Sequence, residues 1–283
     1  FNDDLSIVFD LFKERRENIL LKREHSIPSF LGYNTSAPYG NIGIIENKGF
    51  DGTIEYNKRI NKDWVIALRG NVTFNKDKWI QGELPEQKYE WMNQYGRNIN
   101  GAKGYVAEGL FTQAEIDDMA RWESLSAANK AITPKPFASQ FGTVKAGDIK
   151  YKDVNGDGVI NNNDRVAVGN TNRPSFVYGM GISANWKGLD ASVHFQGTGK
   201  SSFFINGVLV HPFSRGTWGN VSTDVVNSSR WISRDISGDP ATENPNAVYP
   251  RLKFGGENNV NNNQYSTHWL RNGSYLRLKT VEI

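Results

Sequence analysis

The clearest structural signal in the sequence is the segment 50–74, FDGTIEYNKRINKDWVIALRGNVTF. Its two halves alternate apolar and polar side chains around the short connection 61–63, which predicts a tight β-hairpin. Most residues at the even-numbered positions are apolar, and these are Phe50, Ile54, Tyr56, Ile60, Trp64, Ile66, Leu68, Val72 and Phe74. A period of two with one sustained apolar face indicates strands that separate two different environments.

The same design recurs elsewhere in the chain. Segments 176–186 and 189–195 alternate in the same way around the turn 187–188. An opening strand over residues 5–13 and a closing strand from Tyr275 complete a set of about six antiparallel strands. The chain is therefore predicted to be all-β.

The composition excludes several classes of protein. The 283 residues carry 33 basic and 30 acidic side chains, a balance unlike the basic stripe of a nucleic-acid-binding domain. The absence of Cys excludes disulfides and thiolate chemistry, and no apolar run approaches the roughly 18 residues of a spanning helix. The chain has no initiating Met or signal peptide and ends inside a predicted strand, so we expect it to be part of a longer protein.

Two architectures fit the alternation. In a secreted β-sandwich the apolar face packs on a second sheet, whereas in a transmembrane barrel it faces lipid and the polar face lines a wet lumen. The connections 61–63 and 187–188 are minimal, but those at 75–173 and 200–266 are very long. Short turns at one end and long loops at the other are typical of outer-membrane barrels. The sequence therefore favours the barrel, with the sandwich as the alternative.

The two long loops differ in their local signals. In the first loop, Thr112 and Glu115 have the spacing of a capping box, which predicts a short helix that continues to about Asn129. The second loop is rich in Asn, Gly and Pro and includes the run 258–263, NNVNNN. We expect irregular, solvated backbone there.

The segment 153–164, DVNGDGVINNND, fits the twelve-residue calcium loop. The ligands would be the side chains of Asp153, Asn155, Asp157 and Asp164 and the backbone carbonyl of Val159. The loop departs from the EF-hand by carrying Asp at its last position, where Glu is usual. A structural Ca²⁺ that stiffens the first loop is therefore predicted. The alternative is an Asx-rich turn whose side chains cap its own backbone.

The sequence contains no recognisable catalytic constellation, so no enzymatic activity is expected. The segment 179–184, GMGISA, formally matches a dinucleotide-binding fingerprint, but it lies inside a predicted strand and fails the structural condition for that motif. The four His residues lack metal-ligand spacing. The glycines of 179–184 are better explained as residues that face a crowded lumen.

Seven further stretches lie in order along nearly the whole chain. They are IENKGF at 45–50, GYVAEGLF at 104–111, GDIKYK at 147–152, DRVAVGN at 164–170, NPNA at 244–247, YPRL at 249–252 and WLRNGSYLRLK at 269–279. Together these stretches resemble the SusC/RagA family of TonB-dependent outer-membrane transporters of the Bacteroidota.

The resemblance implies a location and partners. It implies that the chain is a segment of a 22-stranded transmembrane β-barrel in the outer membrane, in contact with lipid and with its long loops extracellular. Members of the family pair with a SusD-like surface lipoprotein and import oligosaccharides or peptides with energy from TonB, which contacts a more N-terminal part. The plug that fills their barrel would also lie outside this chain.

Aromatic side chains in the long loops are the candidates for contact with a substrate or partner, because flat amphipathic rings suit sugar rings and protein surfaces. The candidates are Trp79, Tyr89, Trp91, Tyr95, Trp122, Trp218 and Trp231. Each ring could instead pack within its own loop. The other class of function left open is a secreted, calcium-stabilised β-sandwich that binds carbohydrate or mediates adhesion.

Overall fold

The computed structural model describes residues 4–27, 29–32, 37–207, 210–213, 220–254 and 260–283. The chain forms two compact units. The sheet unit comprises Phe1–Ala102, Gly169–Phe203 and Asn272–Ile283, and the loop unit comprises Lys103–Val168 and Phe204–Arg271.

The elements are numbered in chain order. The strands are β1 (Leu5–Lys22), β2 (Tyr39–Arg59), β3 (Trp64–Gln81), β4 (Gly101–Gly104), β5 (Ala107–Leu110), β6 (Ile149–Tyr151), β7 (Val166–Thr171), β8 (Phe176–Trp186), β9 (Leu189–Gly199), β10 (Ser202–Phe204), β11 (Leu270–Asn272) and β12 (Tyr275–Glu282). The helices are α1 (Gln113–Glu123), α2 (Ala127–Ile132), α3 (Thr223–Asn227) and α4 (Arg234–Ser237), with short 3-10 turns at Ser29–Leu31, Glu90–Met92, Asn162–Asp164 and Pro240–Thr242.

The sheet unit is built on one antiparallel sheet in the order β1-β2-β3-β8-β9-β12. The predicted fold class and the six antiparallel strands are confirmed. The first three strands are longer than the alternation predicted, and β3 continues to Gln81. The long connections between the strands of the sheet consequently cover residues 82–175 and 200–274, whereas the sequence predicted 75–173 and 200–266.

Two tight turns, at 61–63 and 187–188, join strands at one end of the sheet, here called the short-turn end. The side-chain oxygen of Asn61 accepts hydrogen bonds from the backbone N–H groups of Asp63 and Trp64, at 2.8 and 3.0 Å. Lys187 and Gly188 have positive φ values of 51° and 88°, as the turn of a two-residue hairpin requires.

The register places the predicted apolar residues on one face. Ile54 lies opposite Gly70, Gly70 opposite Met180, and Met180 opposite Phe195. Close packing on this face needs glycine in places, because a Cβ on Gly197 would come within 2.2 Å of the Tyr178 ring. Large apolar side chains of the face remain accessible, including Ile7, Phe9, Leu11, Ile54, Leu68, Met180, Ile182, Leu276 and Leu278.

The loop unit has a conventional hydrophobic core. Its buried members are Tyr105, Leu110, Ala146, Ile149, Tyr151, Ile160, Trp231, Ala247 and Trp269. These residues come from both long connections, so the two segments fold together. The expectation of irregular, solvated backbone in the second connection is wrong for these parts, since Trp231 and Trp269 are 5% and 3% exposed.

The helical prediction for the first connection is confirmed at its start and corrected at its end. Thr112 and Glu115 form the capping box of α1. The helix ends at Glu123 instead of continuing, because the hydroxyl of Ser126 caps a separate helix, α2.

Candidate functional site

The segment 153–164 is closed by its own hydrogen bonds. The two carboxylate oxygens of Asp153 accept from the backbone N–H groups of Gly156 and Gly158, both at 2.7 Å. Asp157 accepts from the N–H of Val159 at 2.9 Å. The side-chain oxygen of Asn155 accepts from the N–H of Asp157 at 3.0 Å.

Asp164 closes the far end of this loop. Its side chain is fully buried, and its two oxygens accept from the N–H groups of Val154 and Asn161 at 2.9 and 2.8 Å. Ile160 is 3% exposed and belongs to the core of the loop unit. The loop is thereby fixed at its last carboxylate and at its apolar residue.

The fit of this loop to calcium depends on donor chemistry and spacing. All five expected ligands are oxygens, as Ca²⁺ requires. In the part of the chain that the structure describes, which includes the whole loop, no group of three or more His, Cys, Asp or Glu side chains is arranged to hold a metal ion. The hydrogen bonds are those of the Asx-rich turn that the sequence left as the alternative, and calcium stays a prediction.

A buried polar network crosses the loop unit and was not predicted from the sequence. Asp148 is 3% exposed and accepts hydrogen bonds from Arg251 at 3.0 Å and from Asn262 at 2.9 Å. The amide oxygen of Asn262 accepts from the backbone N–H of Ile149 at 2.9 Å, and Asn261 donates to the carbonyl of Ile149 at 2.8 Å. These contacts join residues more than a hundred positions apart.

The predicted contact aromatics of the sheet unit separate into two kinds. Tyr95 packs within its own segment, where its hydroxyl donates to the carbonyl of Gly82 at 2.8 Å. Its strand-like pairing with Trp79 keeps that residue beside it. Tyr89 and Trp91 form a stacked pair with ring centroids 4.6 Å apart and planes 8° from parallel. Both rings are half-buried, so this pair offers an aromatic surface.

The predicted contact aromatics of the loop unit have structural partners. The indole N–H of Trp122 donates to the carbonyl of Thr133 at 2.9 Å. Trp231 lies in the core against the backbone of Gly147, where an added Cβ would come within 2.3 Å of the indole. At 5% exposure it offers a ligand almost no surface. Trp218 lies outside the described residues.

The polar face of the sheet carries a cavity of about 480 Å³. Glu55 and Arg69, opposite each other in the register, both line it. The glycines of the 179–184 motif border this region, because a Cβ on Gly179 would come within 2.4 Å of the Asn71 side chain and one on Gly181 within 3.0 Å of His194. They permit close packing between strands, as the strand interpretation of the motif requires.

Two of the four His residues meet in the loop unit. His211 and His268 contact the same ring, that of Trp269, with ring centroids 4.6 and 4.8 Å apart. Burial lowers the pKa of His268 to about 4 and also lowers the pKa of His211. Both imidazoles are therefore neutral near pH 7 and act as packing partners of the indole.

No helix among the described residues is long and apolar enough to cross a bilayer.

No family model matches the chain. Two curated proteins of Formosa agariphila are similar to it. TonB-dependent receptor P26 is 24% identical over 288 residues, which cover 100% of this chain and 26% of that protein. TonB-dependent receptor P3 is 23% identical over 295 residues, which cover 99% of this chain and 25% of that protein. The chain thus spans about a quarter of the length of these relatives.

Solved structures give the same fold. The structure of the RagAB peptide transporter matches with a TM-score of 0.64 and 19% identity, covering 99% of this chain and 27% of the solved chain. The RagAB peptide importer in the "open-open" state matches with a TM-score of 0.65 and 19% identity, covering 99% and 26%. With the ordered motifs and the six-stranded sheet, these likenesses show that the chain is similar to a barrel segment of the SusC/RagA-like TonB-dependent receptors.

Proposed function

We propose that this chain forms part of the wall of an outer-membrane transporter that imports oligosaccharides or peptides. The observation that carries the proposal is the continuous, exposed apolar face of the six-stranded sheet. A face of this extent needs either a second sheet or lipid to cover it. Its exposure favours lipid over the sandwich alternative.

The height of the apolar face suits a bilayer. On β3 the apolar face runs from Trp64 to Phe74. With a rise of about 3.3 Å per residue and the usual barrel tilt, these ten steps span about 25 Å along the membrane normal. Trp64 and Trp186 stack with centroids 5.9 Å apart at the short-turn end, where an aromatic girdle would meet the interface. The long loops would then be extracellular.

The resemblance to the SusC/RagA family supports the proposed partners of the whole protein. TonB would supply energy through a part outside this chain, and a SusD-like lipoprotein would cover the extracellular end. The relatives are named as receptors, and the solved neighbours as a peptide transporter and a peptide importer. These names support a role in transport and not in catalysis. The printed names make peptides the substrates of the solved neighbours only. For this chain, both peptides and oligosaccharides stay in the proposal.

Within this chain, the stacked Tyr89–Trp91 pair is the proposed contact with substrate or lipoprotein. Parallel rings present a flat apolar surface with polar edges, and the Lys88 ammonium lies 5.1 Å from the Tyr89 centroid. Trp91→Ala removes one ring of the stacked pair, and Trp122→Ala, the matched control, removes an indole that lies outside the pair and donates to the carbonyl of Thr133. A contact role predicts that only the first substitution lowers uptake or lipoprotein binding while leaving the amount of folded receptor unchanged.

The test is to solubilise the native protein from outer membranes in detergent and determine its intact mass and its co-purifying chains. A product three to four times the length of this chain, bound to a surface lipoprotein, is the expected result. Mass spectrometry of small molecules released on denaturation would distinguish peptides from oligosaccharides. Recovery of the protein from the secreted fraction, without lipid or partner, would contradict the proposal and favour the calcium-stabilised sandwich.

A further inference from the structure

A row of lysines crosses three strands at the end of the sheet from which the long connections leave. Lys13 lies opposite Lys48, and Lys48 lies opposite Lys76. Opposed residues of an antiparallel pair share a face, and two positions along β2 the same face carries Phe50. The lysine row, defined as Lys13, Lys48 and Lys76, is therefore the first row beyond the apolar side chains.

Other basic groups extend this row. Lys78, one step further out on the same face, forms an ion pair with Glu46 at 3.0 Å, and Lys13 reaches the same carboxylate at 3.3 Å. The ammonium of Lys200 lies 4.5 Å from the centroid of Phe74, at the edge of the apolar face. Basic groups thus outnumber the single carboxylate of Glu46 at this position.

The centre of the row lacks a counter-charge within the described part of the chain. Lys48 and Lys76 are exposed, and no ion pair joins either to a described acidic group. Like charges directly opposite each other on neighbouring strands destabilise a sheet. A bound anion would offset this repulsion.

We propose that the lysine row binds the phosphates of an anionic lipid headgroup in the extracellular leaflet, an inference that rests on the proposed membrane location. Lysine ammonium groups are compact charges that bind phosphate, and basic residues just outside an apolar span attract anionic headgroups. The row lies at the depth where acyl chains on the apolar face end. The opposite end of this face carries the stacked tryptophans instead, so the two interfaces differ chemically.

The experiment uses the complete receptor purified from outer membranes. Its lysine-row variant carries Lys48→Gln and Lys76→Gln, and its matched control carries Lys62→Gln and Lys187→Gln in the two short turns. Each protein is titrated in mixed micelles with a bisphosphorylated lipid A, with the dephosphorylated form of the same lipid, and with inorganic phosphate. Bound lipid is counted by native mass spectrometry.

The expected result is preferential binding of the phosphorylated lipid, weakened about tenfold in the lysine-row variant and unchanged in the control. Equal binding of the two lipid forms, or equal binding by the variant and wild type, would overturn the inference. So would full competition by inorganic phosphate at the lipid concentration, which indicates an ion site. Membrane fractionation of the cells before purification separates the two proposals, because a receptor absent from the outer membrane contradicts the proposed function itself.

Discussion

The two units of this chain place their apolar side chains in opposite ways. In the loop unit, Phe111, Ile149 and Val225 are completely buried. In the sheet unit, Phe9 and Leu11 are 58% and 77% exposed although β1, which carries both, pairs with β2 without a shift of register from Leu5 to Arg16. The loop unit excludes water from its own core, whereas the sheet unit satisfies its backbone and leaves its apolar surface for another solvent. One chain thus contains two designs, each suited to a different environment.

The largest effect is expected from a cavity in the loop unit. Phe111 packs against Phe137 with ring centroids 4.5 Å apart, and Phe111→Ala should lower the free energy of unfolding of the loop unit by about 3–5 kcal/mol. Hydrogen exchange of loop-unit amides in the intact receptor measures this loss. Phe9→Ala, the matched change in the sheet unit, should cost much less because its ring is already exposed. Equal losses would remove the contrast between the units.

The second prediction tests whether lipid covers the apolar face of the sheet. Ile182→Arg places a charge in the middle of the apolar face and should cost about 2–4 kcal/mol if that face meets hydrocarbon. The neighbouring change Ser183→Arg points to the polar face, beside the cavity of about 480 Å³, and should be tolerated. Urea unfolding of the receptor folded into lipid vesicles compares the two. Similar stabilities would show that lipid does not cover the face of Ile182.

The third prediction concerns the polar network of the loop unit. Asn262→Ala leaves the buried N–H of Ile149 and one oxygen of Asp148 without their partner, which should cost about 1–3 kcal/mol. Asn263→Ala, one position along the chain, is the matched control and should have little effect. Hydrogen exchange at Ile149 is the sharpest measurement, since its amide donates directly to Asn262. Unchanged protection there would exclude the network as a source of stability.

The sheet could be predicted from sequence because its information is local. Alternation with a period of two fixes which face a residue occupies, and a one-residue slip would move every side chain to the wrong face. The turns at Asn61 and Lys187 could likewise be recognised from neighbouring residues. The lysine row cannot be recognised from the sequence, because its members are 28 to 63 residues apart and meet only through the register of three strands.

The core of the loop unit could not be predicted either, because the residues that form it are also far apart in sequence. The run 258–263 has the composition of solvated backbone, yet Asn261 and Asn262 are 5% and 0% exposed. An Asn side chain can be buried when its donors and acceptor are paired, and here the partners lie more than a hundred residues away. Trp231 is a similar case, since its burial against Gly147 depends on a contact between the two long connections. Composition describes average behaviour and does not identify distant partners.

The smallest expected effect is that of calcium, which would be a further difference between the units because only the loop unit contains the predicted site. At a Ca²⁺ concentration ten times the dissociation constant, binding to the segment 153–164 should raise the free energy of unfolding by about 1.4 kcal/mol. Thermal unfolding of the receptor in calcium and in chelator measures the change. Asp157→Ala should abolish it, because this exposed carboxylate is one of the expected ligands, whereas Asp117→Ala on α1 should not. If the wild type is equally stable with and without calcium, the carboxylates act through the hydrogen bonds that they already accept, and the loop unit reaches its stability by packing and hydrogen bonds.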